Sequence, residues 1–231
     1  MPKITIAIDG FSSTGKSTIA RQLGEWLDYL YVDTGAMYRA ITLFAMRNNF
    51  ISENHFEPEK LIATLPEIRI SFKKTKTLGP AEVYLNDENV EKQIRSLMVS
   101  EFVSPIATIS EVRKKLVEQQ QLMGQGKGVV MDGRDIGTVV FPDADLKIFL
   151  DASAEKRANR RFKELQERGD DASFEEVLNN VQERDRIDST REDSPLKMAV
   201  DAIRIDNSEM NLEDQFHIIL QLAKDRIAGR I

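Results

Sequence analysis

Short runs of apolar residues alternate with longer amphipathic stretches along most of this chain. The first run, Ile4 to Ile8, leads into Gly and Ser residues and then into Ile19, Leu23 and Leu27, which recur at helical spacing. Further short apolar runs are YLYVD (29–33), GVVMDG (128–133), LKIFLD (146–151) and AIRID (202–206). Parallel strands joined by helical crossovers have this pattern, so we predict an α/β fold with a parallel sheet of about five strands.

The middle of the chain has a different periodicity. In EIRISFKK (67–74) the apolar residues Ile68, Ile70 and Phe72 alternate with polar ones, and in AEVYLNDENVE (81–91) Val83 and Leu85 alternate in the same way before Asn86 and Asp87. A period of two predicts strands, and Asn with Asp predicts a turn between them. We therefore predict an antiparallel insert near residues 67–90 of an otherwise parallel fold.

A highly charged segment spans residues 154–194 and contains few aromatic residues. This composition predicts helices with one exposed face and a break near Gly169. A mobile arm or lid has the same composition. The chain has no internal repeat, no low-complexity tract and no long flexible linker. For a length of 231 residues, we predict a single domain over 1–231.

Composition and charge narrow the class of protein. A net charge of -6 argues against a duplex nucleic acid as partner, because such binding relies on many Lys and Arg residues acting together. The absence of cysteine excludes disulfides, thiolate metal sites and a cysteine nucleophile. The first residues lack a signal-peptide pattern, and no run approaches about 18 apolar residues. We expect a cytoplasmic enzyme with no membrane partner.

One motif lies between the first predicted strand and the first predicted helix. Gly10, Gly15, Lys16 and Ser17 match the G-x-x-x-x-G-K-[ST] spacing of a phosphate-binding loop. In such loops main-chain amides and the helix dipole bind phosphates, the Lys reaches the terminal phosphates, and the Ser can ligate Mg²⁺. A chance match in a Gly/Ser-rich turn is the alternative interpretation. We predict that a phosphorylated ligand binds at residues 10–18, which are Gly10, Phe11, Ser12, Ser13, Thr14, Gly15, Lys16, Ser17 and Thr18.

Two further motifs follow predicted strands. In DTGAMYR (33–39), Thr34 is either a helix cap or a site residue, and the segment alone leaves both open. In MDGRDIGTVVFPDA (131–144), three charged residues should lie beside the phosphate loop, because open α/β sheets bind ligands at the carboxyl ends of their strands. Asp132 is where an acid that holds Mg²⁺ through water is expected. Turn chemistry is the alternative.

The charged segment contains arginines at helical spacing. Arg157 and Arg161 are four residues apart, and Arg184, Asp188 and Arg191 are spaced so that two guanidinium groups flank a carboxylate. Most such faces are simply solvated. Next to a phosphate loop, however, an Arg-rich arm can close over phosphates and stabilise charge in the transition state.

Phosphate binding alone is compatible with several functions. The GTPase signatures Asn-Lys-x-Asp and Asp-x-x-Gly are absent, as are the His-Arg-Asp and Asp-Phe-Gly signatures of protein kinases. A kinase for a small acceptor and a nucleotide-gated binding module both remain open on these grounds. A second cluster of arginines favours the kinase, because a switch needs no second phosphate site.

Taken together, the motifs resemble those of the bacterial-type cytidylate kinases, which belong to the nucleoside monophosphate kinase family. The resemblance extends through DTGAMYR, DGRDIGTVVFPDA, KIFLDAS and ERDRIDSTR and covers nearly the whole chain. It implies a P-loop NTPase fold with a five-stranded parallel core, a CMP-binding lobe over 34–113 with an antiparallel insert, and an Arg-rich lid over 154–194. It also implies a monomer that uses Mg²⁺ and transfers the γ-phosphate of ATP to CMP or dCMP.

The resemblance also implies roles for individual residues. Residues near the CMP phosphate and sugar would be Thr34, Tyr38, Arg39, Arg134 and Arg184. Residues that read cytosine would be Ser104, Arg113 and Asp135, and those near the ribose would be Asp188 and Arg191. The catalytic residues would be Lys16, Asp132, Arg134 and Arg184, with further ATP contacts from Arg157 and Arg161.

Three positions qualify this transfer of roles. Phe11 stands where Pro is common in the family, but this position acts through its backbone. Thr34 replaces a frequent Ser and keeps the hydroxyl. Ser100 lies near Ser104 in a segment with few residues that match the family's motifs, so Ser100 is the alternative to Ser104 for the contact with cytosine.

Overall fold

The structure is a computed structural model that describes residues 2–73 and 81–231. Its strands are β1 (Thr5–Gly10), β2 (Leu30–Asp33), β3 (Ile51–Ser52), β4 (His55–Phe56), β5 (Ile70–Lys73), β6 (Glu82–Leu85), β7 (Glu88–Asn89), β8 (Val129–Gly133), β9 (Leu146–Asp151) and β10 (Ile203–Asp206). Its α-helices are α1 (Lys16–Leu27), α2 (Thr34–Arg47), α3 (Pro58–Thr64), α4 (Leu97–Ala107), α5 (Ser110–Gly124), α6 (Ala154–Arg168), α7 (Phe174–Thr190) and α8 (Leu212–Ile227). These elements form two units, the first from Met1–Val32 with Gly124–Ile231 and the second from Asp33–Met123.

The first unit is built on a five-stranded sheet with the order β10-β9-β1-β8-β2. β1 pairs in parallel with β8 on one side and with β9 on the other, and β10 pairs in parallel with β9. All residues of β1 and β8 are buried, which explains why these strands are continuous apolar runs in the sequence. The predicted α/β fold with a five-stranded parallel sheet is confirmed.

One face of this sheet packs against α1 and α8 in a buried apolar cluster. Ile6 and Ile8 of β1 pack in a cluster with Leu23 of α1 and Leu220 of α8. Side chains two apart on a strand point to the same face, so both isoleucines contribute to this layer. The packing holds the start of α1 at the carboxyl end of β1, where the phosphate-binding motif lies.

The second unit contains two small antiparallel sheets. β5, β6 and β7 form a meander in the order of the chain, with Ile70 opposite Leu85. The turn before β7 contains Asn86 and Asp87, both with positive φ, as the two-residue hairpin rule predicts. The antiparallel insert is therefore confirmed, although Lys74 of the predicted first strand lies outside the described residues.

The other small sheet, β3 with β4, was not predicted from the sequence. Each of its strands has two residues, which is too short to produce a recognisable period.

The charged segment forms α6 and α7. Gly169 ends α6 in the left-handed conformation, with φ of 84°, and Ser173 begins α7 with a capping box to Glu176. Val177 and Val181 of α7 belong to a small apolar cluster with residues of α6. The predicted helices and their break at Gly169 are confirmed, whereas the function of this segment as a lid stays a prediction, as does the single kinase domain.

Among residues 2–73 and 81–231, no helix is both long and apolar enough to cross a membrane.

Candidate active site

The phosphate-binding motif forms a tight loop between β1 and α1. Its backbone has positive φ at three positions: 147° at Gly10, 59° at Ser13 and 87° at Gly15. A Cβ atom on Gly10 would lie 2.0 Å from the carbonyl oxygen of Leu150 on β9. The two motif glycines are therefore required by the path of the backbone and by the close approach of the neighbouring strand.

Lys16 is buried at the first position of α1 and folds back over the loop. Its Nζ donates to the carbonyl oxygen of Phe11 at 2.6 Å and approaches Oγ1 of Thr14 at 3.4 Å. Burial, followed by repulsion from Arg134 and Arg184, lowers the pKa of Lys16 well below its usual value. Three cationic side chains thus lie close enough to interact at the phosphate loop, which is the chemistry that a polyphosphate requires.

Asp132 lies at the carboxyl end of β8, opposite Ile8 of β1. Its Oδ2 accepts a hydrogen bond from Ser17 Oγ at 2.8 Å, and its Oδ1 accepts one from the hydroxyl of Tyr31 at 2.9 Å. Asp132 therefore lies beside the phosphate loop, as the sequence predicts. Tyr31 was not predicted as a site residue, because a Tyr in a strand has no distinguishing pattern.

A second cluster of charges surrounds Asp188 on α7. Its carboxylate lies 2.8 Å from Nε of Arg134, 3.6 Å from Nη1 of Arg191 and 3.9 Å from Nε of Arg184. Burial raises the pKa of Asp188, but the three guanidinium groups outweigh it, and the pKa lies below its usual value. Arg191 is the residue after the end of α7 and does not lie on the face of that helix. It nevertheless pairs with the Asp188 carboxylate, as the sequence predicts. Asp188 therefore holds these arginines in one group.

Asp9, at the end of β1, holds the segment that carries Asp135. Its two carboxylate oxygens accept hydrogen bonds from the backbone N–H groups of Ile136 at 2.8 Å and Gly137 at 2.7 Å. Asp135 is itself buried and lies 4.0 Å from Nη2 of Arg191. Sequence reasoning missed Asp9, although an acidic residue that ends a buried apolar strand is a usable signal.

The buried carboxyl group of Asp9 should make the stability of the protein depend on pH. Burial raises the pKa of Asp9 from 3.8 to about 7, although two backbone hydrogen bonds oppose the shift. Between these pH values the native protein binds more protons at this site than the unfolded chain. Its contribution to the free energy of unfolding is therefore largest below the lower value and is lost as the pH rises through about 7.

We expect the free energy of unfolding of the wild type, relative to that of Asp9→Asn, to decrease steadily as the pH rises through this range. Urea denaturation of both proteins at several pH values measures the difference. The variant also loses one hydrogen bond, but that loss is independent of pH. A difference that stays constant would contradict the prediction.

Arg157 and Arg161 of α6 differ in their surroundings. Arg157 is 3% exposed, and its two terminal nitrogens donate to the carboxylate of Asp185 at 2.9 and 2.5 Å. Its guanidinium carbon lies 5.0 Å from the centre of the Phe11 ring in the phosphate loop. Arg161 pairs with Glu164 on its own helix at 3.4 Å. Contacts of either arginine with ATP stay predictions.

In the second unit, the start of α2 corrects one interpretation of DTGAMYR. The N-cap is Asp33, whose Oδ1 accepts from the N–H of Ala36 at 3.0 Å, and Thr34 is the first helical residue. Arg95 donates to the other oxygen of Asp33 at 2.8 Å. Burial raises the pKa of Asp33, but Arg95 and Arg39 outweigh it, so the pKa is lower than usual. This charge network orients the first turn of α2.

The remaining predicted residues of the second unit are on α2, α4 and α5. Tyr38, Ser104 and Arg113 are all buried, and the guanidinium carbon of Arg113 lies 5.5 Å from the centre of the Tyr38 ring. The hydroxyl of Ser100 donates to the carbonyl oxygen of Ser96 at 3.0 Å. The choice between Ser104 and Ser100, and the assignment of these residues to CMP, stay predictions.

Comparison with known proteins agrees with this geometry. A family profile described as cytidylate kinase matches residues 6–225. The cytidylate kinase of Flavobacterium johnsoniae is 65% identical over 225 residues, which cover 97% of this chain and 98% of that protein. The cytidylate kinase of Phocaeicola vulgatus is 56% identical over 215 residues, which cover 93% of this chain and 94% of that protein.

A crystal structure of an uncharacterised protein from Eubacterium ventriosum has a TM-score of 0.50 and 10% identity, and the match covers 97% of this chain and 99% of that one. This likeness concerns the fold alone. The profile and the curated relatives, by contrast, match nearly the whole sequence. The chain belongs to the cytidylate kinase family.

Proposed function

We propose that this protein transfers the γ-phosphate of ATP to CMP, and to dCMP, giving CDP or dCDP and ADP. Membership of the cytidylate kinase family supports the proposal. The observation that carries it is the geometry of two groups of cations: Lys16 folded over the phosphate loop, and Arg134 and Arg184 held 2.8 and 3.9 Å from Asp188. The phosphate loop with Lys16 provides one group of donors, and the arginines from distant segments provide a second. Two groups of donors suit a reaction between two phosphate groups.

On the ATP side, the main chain of residues 10–18 and the amine of Lys16 would bind the phosphates. The hydroxyl of Ser17 and the carboxylate of Asp132, 2.8 Å apart, are hard oxygen donors and fit Mg²⁺. Ser17 would hold the ion directly and Asp132 through water. Bound there, Mg²⁺ supplies neutralisation of the charge on the β- and γ-phosphates.

Replacing Ser17 should raise the requirement for Mg²⁺. We expect Ser17→Ala to increase the Mg²⁺ concentration for half-maximal activity by about tenfold, which corresponds to one lost ligand or hydrogen bond. Titration of Mg²⁺ at fixed ATP measures this value. Ser17→Thr is the matched control, because Thr keeps the hydroxyl and the motif accepts it. An unchanged requirement in Ser17→Ala would exclude Ser17 from the metal site.

On the CMP side, arginines would bind the phosphate and polar side chains would select the base. The residues proposed for the phosphate and sugar are Thr34, Tyr38, Arg39, Arg134 and Arg184, with Asp188 and Arg191 at the ribose. Those proposed for cytosine are Ser104, Arg113 and Asp135. A guanidinium group suits this task because its planar donors match phosphate oxygens in pairs. Arg157 and Arg161 are proposed as additional ATP contacts.

The proposed reaction needs no general base. A phosphate monoester has its second pKa near about 6, so at neutral pH the attacking oxygen of CMP is already largely an anion. The side chains then act by orientation and by charge neutralisation. Lys16 would stabilise the transferred phosphoryl group, while Arg134 and Arg184 would hold the two reactants in line and offset their mutual repulsion.

An ADP-release assay with ATP, Mg²⁺ and a panel of acceptors tests the proposed function. We expect CMP and dCMP to give the highest kcat/KM among CMP, dCMP, UMP, AMP and GMP. A kinase for another acceptor would show a different optimum. A nucleotide-gated switch would hydrolyse ATP at a rate that is indifferent to every monophosphate.

The sequence also predicts a monomer in the cytoplasm, without nucleic acid or membrane partners, and these stay predictions. Light scattering of the purified protein with and without ATP and CMP tests the first of them.

A further inference from the structure

A buried amide group contacts the phosphate loop from the far end of the sequence. Asn207 directly follows β10 and is 0% exposed. Its Nδ2 donates to the carbonyl oxygen of Thr14 and to Oε1 of Gln215, both at 2.7 Å. Its Oδ1 accepts from Nη1 of Arg160 at 3.0 Å. Because both N–H groups and the oxygen are used, the amide has one preferred orientation.

The backbone of Asn207 is held as firmly as its side chain. Its N–H donates to the carbonyl oxygen of Asp151 at the end of β9, at 2.9 Å. Its own carbonyl oxygen accepts from Nη2 of Arg160 at 2.7 Å. The central sheet and α6 therefore hold the amide in position.

Thr14 lies between two loop residues that have positive φ. The residues on either side, Ser13 and Gly15, have φ of 59° and 87°. Glycine reaches both positive and negative φ at little cost, so the peptide between Thr14 and Gly15 needs an external contact to keep one orientation. The bond from Asn207 supplies the shorter such contact, at 2.7 Å, while Nη1 of Arg160 lies 3.5 Å from the same oxygen.

The orientation of this peptide determines where a phosphate donor points. In a planar trans peptide the C=O and N–H groups point in opposite directions. With the oxygen of Thr14 directed at Asn207, the N–H of Gly15 is directed away from it. Main-chain N–H groups of such loops are the donors that bind phosphate oxygens.

We propose that Asn207 is a positioning residue for nucleotide binding, which holds the carbonyl of Thr14 and thereby aims the N–H of Gly15 at the phosphates of ATP. The inference rests on the proposed function of the phosphate loop, but not on the identity of the acceptor. It brings a residue 193 positions away from Thr14 into the function of the loop.

The variant Asn207→Asp tests this role at constant shape. It keeps an oxygen for Arg160, but it removes both N–H donors and sets a carboxylate oxygen against the carbonyl of Thr14. We expect the Kd for the Mg²⁺ complex of a fluorescent ATP analogue and the KM for ATP to rise about tenfold. The KM for CMP should stay within about twofold of the wild-type value, because the acceptor site is not altered.

Gln215→Glu is the matched control for a merely structural role, because it adds the same charge as Asn207→Asp and keeps an oxygen that accepts from Asn207. Gln215 is as buried as Asn207, and its hydrogen bonds go to Asn207 and to the backbone at Met210 and Asn211. We expect this variant to lower the melting temperature but to leave the Kd for the ATP analogue within about twofold. An unchanged Kd in Asn207→Asp, or an equal rise in Gln215→Glu, would overturn the proposal.

Two further measurements keep the test decisive. If circular dichroism shows that Asn207→Asp does not fold, Asn207→Ser replaces it, because Ser is neutral and too short to reach Thr14. The wild type is assayed in parallel for phosphorylation of CMP. A wild type that binds the ATP analogue without phosphorylating CMP would refute the proposed function, while the comparison of Kd values would still decide the role of Asn207.

Discussion

Lys16→Met should lower kcat by roughly 100- to 1000-fold, because it removes a charge that stabilises the transferred phosphoryl group. Lys16 already lies over the loop, with its amine 2.6 Å from the carbonyl oxygen of Phe11. Little rearrangement is needed for it to reach a terminal phosphate, and a pre-positioned charge in a buried site is worth more than one in water. Steady-state ADP release at saturating ATP and CMP measures the loss.

The same variant should be at least as stable as the wild type. Burial is the main reason why the pKa of Lys16 lies below its usual value, which means that the folded protein disfavours the charged amine. Replacing a buried charge by an apolar side chain of similar length removes this cost. Urea denaturation therefore separates lost chemistry from lost folding.

Lys127→Met provides the control for Lys16→Met. Lys127 has a half-exposed side chain and pairs with Asp145 at 2.8 Å, outside the phosphate loop. Surface ion pairs contribute little, so activity should stay within about twofold. A kcat of Lys16→Met close to that of Lys127→Met would exclude Lys16 from transition-state stabilisation.

Asp135→Ala should largely abolish the preference for CMP over UMP. Cytosine carries an exocyclic N4 donor that a carboxylate can accept, whereas uracil has an oxygen at that position. A buried mismatch of this kind is worth roughly 2 to 4 kcal/mol, so the ratio of kcat/KM values should narrow by about 30- to 1000-fold. The burial of Asp135 favours a large effect.

The ratio of the two kcat/KM values is the required readout, because Asp135 also lies near Arg191. Losing that contact would lower the activity on both acceptors and would leave their ratio unchanged. Asp135→Asn should narrow the ratio as well, since an amide can offer either its oxygen or its N–H to the base. Asp143→Ala, at an exposed position of the same segment, should preserve it. A CMP/UMP ratio that is unchanged in Asp135→Ala would refute the assignment.

Some site residues could be predicted because their signals are local. The spacing of Gly10, Gly15 and Lys16 between a strand and a helix identified the loop without knowledge of the fold. Asp132 and Arg134 could be assigned to the same edge of the sheet, since parallel strands bring their carboxyl ends together. Helix caps were less predictable, and the cap of α2 is Asp33 rather than Thr34.

Other residues had no local signal. Tyr31 and Asp185 are ordinary strand and helix residues in the sequence, yet one donates to Asp132 and the other accepts from Arg157. Nothing in the spacing of neighbouring residues distinguishes them from solvated side chains. Their contribution depends on which distant element lies opposite.

The sequence by itself determined the parallel sheet, the phosphate loop, the antiparallel insert and the resemblance to cytidylate kinases. These features depend on periodicity and on spacing within a few residues, which the order of amino acids contains directly. Only the tertiary structure decided that Ser17 bonds to Asp132, Asp9 to Ile136 and Asn207 to Thr14. These partners are 115, 127 and 193 residues apart, and contacts over such separations arise from the packing of whole elements, not from any local pattern.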